Sequence, residues 1–296
     1  MTAVRWIAQW AVGCVLLTAI AAGTLSDAPL RHAPLTVGGY RVLAADFHVH
    51  SFPLSWATLS PWDTVIDARW QGLDAIAMTG HNHVWVAKTG RWFSRLIGGP
   101  TVLVGEEIVS PHYHLLAVGI HSTVSWEQTA ASAIDAVHNQ GGIAIAAHPL
   151  AQFWPAYDGE AMRKLDGAEV LHPIVYESEE LGEELRRFYG SARLTAISDS
   201  DYHGLGPMGL CRTYVFTRAE TEQGILTALR QGHTVVYDRG RVYGDPALIQ
   251  LAAEQGTLPK LASAAPVSGF LAAYSRIAGT LGLMAALWLG CGTGKQ

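Results

Sequence analysis

The apolar run Tyr40 to Ala45 passes directly into Asp46-Phe47-His48-Val49-His50, and the same succession, a buried strand running into histidines or acids, returns along the chain. In an extended strand successive side chains alternate between faces. His48 and His50 therefore share a face, with Phe47 and Val49 turned the other way into packing. Two imidazoles on one face make half a metal site, and the remaining ligands must come from elsewhere. Leu73 to Thr79 leads into Gly80-His81-Asn82-His83, and Thr101 to Val109 carries Glu106 and Glu107. The strand His114 to Ile120 begins on a histidine. Ile143 to Ala147 leads into His148-Pro149, Ala168 to Leu171 into His172-Pro173, and Arg193 to Ile197 into Ser198-Asp199-Ser200-Asp201-Tyr202-His203.

Helices are expected between these strands. Pro61 to Gln71 has Ser60 as N-cap and proline at its first position. Ser125 to Gln140 is stopped by Gly141-Gly142, and Ser178 to Tyr189 runs from acidic to basic, which suits the helix dipole. Helix Glu220 to Gln231 and strand Thr234 to Tyr237 complete the body. Alternating strands and helices predict a parallel α/β arrangement. Side chains at the C-terminal ends of barrel strands converge on one mouth, so the placement of the histidines and acids favours a barrel of about seven strands, with a doubly wound open sheet as the alternative.

The balance of 20 basic and 25 acidic side chains, net charge −5, argues against a nucleic-acid partner and for a small-molecule substrate. Three cysteines offer neither a disulfide framework nor zinc-finger spacing. Cys14 and Cys291 fall in apolar terminal segments, and Cys211 enters a strand as a structural residue.

Residues 1–26 form a signal anchor or a cleavable signal peptide. Ile7 to Gly23 is almost wholly apolar, close to the roughly 20 residues that span a bilayer, and Arg5 before it favours a cytoplasmic N-terminus. Small residues at Ala19, Ala21 and Ala22 permit cleavage. Residues 27–39 read as a linker and residues 40–255 as the globular domain. Residues 266–291 read as a second transmembrane or membrane-associated helix, in which a full span requires Arg276 to snorkel. The domain is then membrane-attached and extracytoplasmic, periplasmic or at the cell surface.

Collected from the strand ends, His48, His50, His81, Glu107, His114, His148, Asp201 and His203 mix imidazole with carboxylate. Such a set suits zinc, manganese or iron better than calcium or magnesium. It exceeds what one ion needs and predicts two or three divalent ions close together, the arrangement that activates water and holds a phosphoryl group.

These motifs resemble the PHP (polymerase and histidinol phosphatase) domain. Asp46 to His50, Thr79-Gly80-His81-Asn82, Gly105-Glu106-Glu107-Ile108, His114-Leu115-Leu116, Ala147-His148-Pro149 and Ser200-Asp201-Tyr202-His203 stand in that family's order over roughly residues 41 to 240. The resemblance implies a distorted (β/α)7 barrel, flanked here by N- and C-terminal apolar helices, and a metal-dependent phosphoesterase. It implies that His48, His50, Glu107 and Asp201 hold one ion, that Glu107 bridges to a second held by His114 and His148, and that His81 and His203 belong to a third. The Gly-x-Glu pattern selects Glu107 over Glu106. Asp46 is expected to orient a ligand, and Asp199 to stand behind the ligands. Two departures bear on the third ion: Ser51 to Ala57 offers no good ligand, and Gly80 replaces an aspartate. That third site would then be empty, weak, or completed by His83 or by water.

The expected chemistry is hydrolysis by a hydroxide bridging the ions, with His81 or His203 protonating the leaving group. Lys88, Arg91 and Arg95 are candidates to clamp a phosphate. The segments Arg212 to Val215 and Ala228 to Val236 are similar to PHP-like hydrolases that include carbamate-cleaving members, which sets hydrolysis of carboxylic or carbamic esters or amides beside phosphoester cleavage. A non-catalytic metal-binding membrane module is the third reading.

Overall fold

The computed structural model describes residues 2–27, 35–204 and 207–257, together with the pairs 278–279, 281–282 and 284–285. They fall into two units, Met1–Ala33 with Val267–Gln296, and Pro34–Pro266. In the first, α1 (Thr2–Asp27) contains one stretch, Val4–Gly23, long and apolar enough to cross a membrane. Apart from the three helical pairs, the segment 266–291 lies outside the described residues, as do residues 28–34 of the expected linker.

The second unit is built on a mixed sheet. Its strands are β1 (Leu35–Val37), β2 (Tyr40–Val49), β3 (Ala75–Met78), β4 (Thr101–Val109), β5 (His114–Val118), β6 (Ile143–Ala146), β7 (Gly167–Leu171), β8 (Thr195–Ser198), β9 (Thr213–Thr217), β10 (Thr234–Asp238) and β11 (Arg241–Gly244). The order is β11-β10-β9-β2-β3-β4-β5-β6-β7-β8, with β1 on β2. The sheet is barrel-like and nearly closed. Across the seam the Thr213 hydroxyl accepts from Ser198 N–H at 2.8 Å and donates to its carbonyl at 2.9 Å, and the Thr234 hydroxyl donates to Ala196 O at 2.8 Å. Threonine side chains thus do what a ladder does elsewhere, and the open-sheet alternative falls.

The expectation of parallel strands holds for β2-β3-β4 and β6-β7-β8 only. β5 runs antiparallel to both neighbours, and β9 runs antiparallel to β2 and β10. The link from Val109 to His114 is too short for a parallel crossover, which takes a dozen residues or more. Leu35–Val37, read as linker, pairs with Tyr40–Val42. Gly38 and Gly39 make the turn at φ 56° and 78°, where side chains with a Cβ are strained.

The helices are α2 (Pro61–Trp70), α3 (Trp85–Ile97), α4 (Ala130–His138), α5 (Gly159–Lys164), α6 (Glu179–Gly190), α7 (Glu222–Arg230) and α8 (Pro246–Glu254). Ser60 caps α2 by accepting from Asp63 N–H. The expected helix Ser125 to Gln140 starts only at Ala130, where Thr129 supplies the cap. One buried cluster takes Leu43, Ala45 and Phe47 with alternate residues of most other strands and the apolar face of α7. The other faces of the strands, among them Val42, Ile76, Val104, Leu115 and Ala146, pack beneath α2, α3 and α4. This alternation decides what points inward near the strand ends: Glu107 follows Leu103 in parity, and His114 follows Leu116. Phe47 and Val49 do not share a face as expected, because the β2–β3 pairing shifts register between Asp46 and Val49. Phe47 stays inside and Val49 joins the outer cluster.

Candidate metal centre

The eight residues collected from the strand ends as ligands reach one place. His48 and His50 leave the end of β2 fully buried. Glu107 lies on the inward face of β4 and is also buried. His114 opens β5, and because β5 is antiparallel its first residue stands at the same mouth as the last residues of its parallel neighbours. His148 follows β6, while Asp201 and His203 follow β8. His148 and Asp201 hold φ values of 27° and 45°. Non-glycine residues rarely adopt such a backbone, and when they do they cluster at functional sites.

The two oxygens of Glu107 divide the group. Oε2 lies 3.3 Å from His48 Nε2, 3.5 Å from His50 Nε2 and 3.3 Å from His81 Nε2. Oε1 lies 2.7 Å from His114 Nδ1 and 3.2 Å from His148 Nε2. Asp201 Oδ1 stands 3.2 Å from His48 Nε2 and 3.0 Å from His50 Nε2. His50, His81 and His203 form an adjoining group, the rings of His50 and His203 stacking at 4.0 Å.

The donor set tests whether cations fit. His48 Nε2 and both ring nitrogens of His50 are buried without a hydrogen-bond partner, an arrangement that costs free energy unless something else meets them. Nitrogens and carboxylate oxygens facing one another at 3.0 to 3.5 Å suit a cation between them. His48, His50 and Asp201 form one potential ligand group and His48, Glu107 and His148 another. Burial works against charge on His48, but Asp201, Glu107 and Glu169 outweigh it and raise its pKa well above the usual imidazole value. Burial lowers His50 to about 4, keeping it neutral. Against burial, His48, His114 and His148 hold Glu107 ionised, well below the ordinary carboxylate range. The carboxylates thus favour positive charge between them, which the Nε2 proton of His48 supplies and which a divalent cation bound there would supply in its place.

Among solved structures, a two-domain protein of Bacteroides vulgatus containing a predicted PHP-like metal-dependent phosphoesterase matches with a TM-score of 0.59 and 22% identity, over 75% of this chain and 72% of that one. The chain shares that PHP-like fold. Two looser matches are a protein of Bifidobacterium adolescentis described as a metal-dependent phosphoesterase (TM-score 0.46, 18% identity, 66% of this chain and 98% of that one) and a lesion-specific endonuclease of Pyrococcus furiosus (0.40, 13%, 80% and 71%). No protein-family model matches the sequence, and no curated protein matches it.

Behind the mouth of this PHP-like barrel stands a residue that the sequence reading passed over. Glu169, buried on the inward face of β7, accepts from His48 Nδ1 at 2.7 Å and from the backbone N–H of His148 at 2.6 Å. It fixes His48 with its Nε2 lone pair toward Glu107 and Asp201, the duty that carboxylates behind ligating histidines perform. The available signal was one acid inside the apolar run Gly167 to Leu171. His172 also lines the group, its Nε2 buried 3.5 Å from Asp201 Oδ2. Its Nδ1 accepts from Ile174 N–H, which leaves Nε2 as the ring nitrogen turned toward Asp201.

Asp46 does not face the histidines. It accepts from the Ser200 hydroxyl and N–H, from Gly209 N–H at 2.9 Å and from His48 N–H at 3.2 Å, and so ties β2 to the loop that carries Asp201. Burial raises it to about 6. Asp199 accepts from Phe47 N–H at 2.6 Å, and burial with the charge of Asp46 raises its pKa well above the usual value. Glu106 points away, accepting from Val124 N–H.

Two of the three residues of the expected phosphate clamp stand away from the mouth. Arg91 and Arg95 lie on α3 beside Glu222 of α7, at 3.3 and 4.0 Å, in a pocket with Pro100 and Thr101 at the start of β4, the end opposite the mouth. Gly80 has a physical reason. A Cβ there would stand 2.6 Å from Cε1 of His83 and 3.1 Å from the Ser55 hydroxyl, so the His83 ring fills the space a side chain at 80 would need.

Proposed function

We propose that this chain is a metal-dependent hydrolase, a phosphoesterase that cleaves a small phosphate ester at the mouth of the barrel. The observation that carries this reading is the division of Glu107, one oxygen toward His48 and His50 and the other toward His114 and His148. In this reading His48, His50, Asp201 and Glu107 hold one divalent cation, and Glu107, His114 and His148 hold a second. Zinc, manganese and iron suit the donors. Cations so held supply Lewis acidity, which activates water at neutral pH and neutralises charge developing on a phosphoryl group.

The chain's own residues divide the remaining work. Glu169 and His172 orient His48 and Asp201, while Asp46 fixes the loop that bears Asp201. His81 and His203, with 28% and 27% of their side chains exposed where His48 and His50 have none, are placed to meet substrate and protonate its leaving group. The helix Val4–Gly23 supports attachment to a membrane, and Arg5 at its N-terminal end, ahead of the apolar run Ile7 to Gly23, supports an extracytoplasmic barrel.

Chelator-sensitive cleavage of generic phosphate esters by the purified full-length protein, lost in His148→Ala, is the expected result. Turnover confined to acyl or carbamoyl esters would move the reading to that substrate class. Tight metal with no turnover on either panel would sink the enzyme reading.

A further inference from the structure

We propose that the outward face of α3, continued by the tip of the Ser51–Ser60 loop, is a second membrane contact that lies on an anionic bilayer surface. Trp85, Lys88, Trp92, Arg95 and Leu96 fall within about a 100° arc of the helix at 3.6 residues per turn, opposite the buried Val86, Ala87, Gly90 and Ser94. Trp92 and Leu96 are 65% and 68% exposed, and Arg95, 4.0 Å from Glu222 of α7, stays largely exposed on the flank of the stripe. Tryptophan and leucine interleaved with lysine and arginine, with no acid on the helix, is the composition of a helix lying in a membrane interface. Tryptophan prefers the headgroup level, and each cation is drawn to anionic lipid.

The loop extends this surface. Trp56 is 92% exposed at φ 55°, so a bulky apolar side chain is held out in water by a backbone that disfavours it. Its neighbour Ser55 accepts from His81 N–H, and two residues on the ring of His83 stacks on Trp85, so loop and helix adjoin.

The path of the chain names the occupant. Val42 pairs with both β1 and β9, and Ala45 with both β3 and β9, so β1 enters on the edge of β2 that β3 occupies, and α3 packs on β3 and β4. Seven residues, 28–34, separate α1 from β1, at most about 25 Å of chain. With α1 held in a bilayer, so short a tether keeps the domain close to lipid, and the aromatic and basic stripe has the composition to lie on an anionic surface.

The test places an environment-sensitive fluorophore on the full-length protein at Trp92→Cys, with Trp126→Cys as control, after the native cysteines are replaced. The protein is inserted into vesicles of phosphatidylcholine and phosphatidylglycerol, and carbonate-resistant pelleting reports insertion of α1 separately. The expected result is a blue shift and several-fold stronger quenching by brominated lipid at 92 than at 126, reversed by Lys88→Glu with Arg95→Glu. Equal quenching at both positions in inserted protein overturns the proposal. So does a label at 92 that is shielded in detergent in a chain eluting as a dimer, which would assign the face to a second copy.

Discussion

Glu169 accepts the Nδ1 proton of His48 at 2.7 Å and, through its other oxygen, the backbone N–H of His148 at 2.6 Å. One buried carboxylate thereby orients a ring from β2 and a loop after β6, the two sides of the proposed two-ion site. Glu169→Gln leaves one acceptor and sets an amide donor against the second donor. The expected outcome is a folded protein whose metal affinity falls about 10- to 100-fold, read by competition with a chromogenic chelator. Unchanged affinity would show that Glu169 serves packing alone.

The division of Glu107 between two sets of histidines makes a stoichiometric prediction. Glu107→Gln keeps one oxygen and loses the other, so elemental analysis should fall from at least two ions per chain to one or none, with far-ultraviolet circular dichroism unchanged. Stripping the wild-type protein with chelator should lower its melting temperature, since an ion at a hundredfold its dissociation constant stabilises by about 2.7 kcal/mol. Full metal retention in Glu107→Gln would remove the bridging role.

What the sequence made legible follows from period-2 alternation. Apolar runs announced the strands, and residues at their ends were bound to share a mouth. Glu169 stayed hidden because a lone acid in an apolar strand looks the same whether it meets histidine, backbone or water. The four residues between Val109 and His114 already excluded a helical crossover, and reading them so would have turned β5 around. The shift after Asp46 that separates Phe47 from Val49, and the pairing of Arg91 with Glu222 across α3 and α7, arise from tertiary contacts that no local pattern encodes.

The packing of His83 into the space beside Gly80 predicts non-additivity. Gly80→Ala sets a Cβ 2.6 Å from the His83 ring, and overpacking of this kind costs about 1–3 kcal/mol. His83→Ala empties the same space, so the double variant should regain most of what Gly80→Ala loses, and urea denaturation of the four proteins gives the coupling directly. Additive losses would mean that the His83 ring swings clear at no cost.

Glu106 titrates in the wrong range for an ordinary carboxylate. Burial raises its pKa from 4.5 to about 7, with the Val124 N–H opposing. The folded state therefore binds its proton more tightly than the unfolded state does. The stability this contributes is complete below pH 4.5 and is lost as pH rises through about 7, by at most about 3 kcal/mol at pH 8. Glu106→Gln mimics the protonated group and keeps an acceptor for Val124. Its melting temperature should match the wild type near pH 4, exceed it increasingly from pH 5 to 7 and level off above that, measured at constant metal concentration. Parallel curves for the two proteins over that range would show that Glu106 is ionised in the fold without penalty.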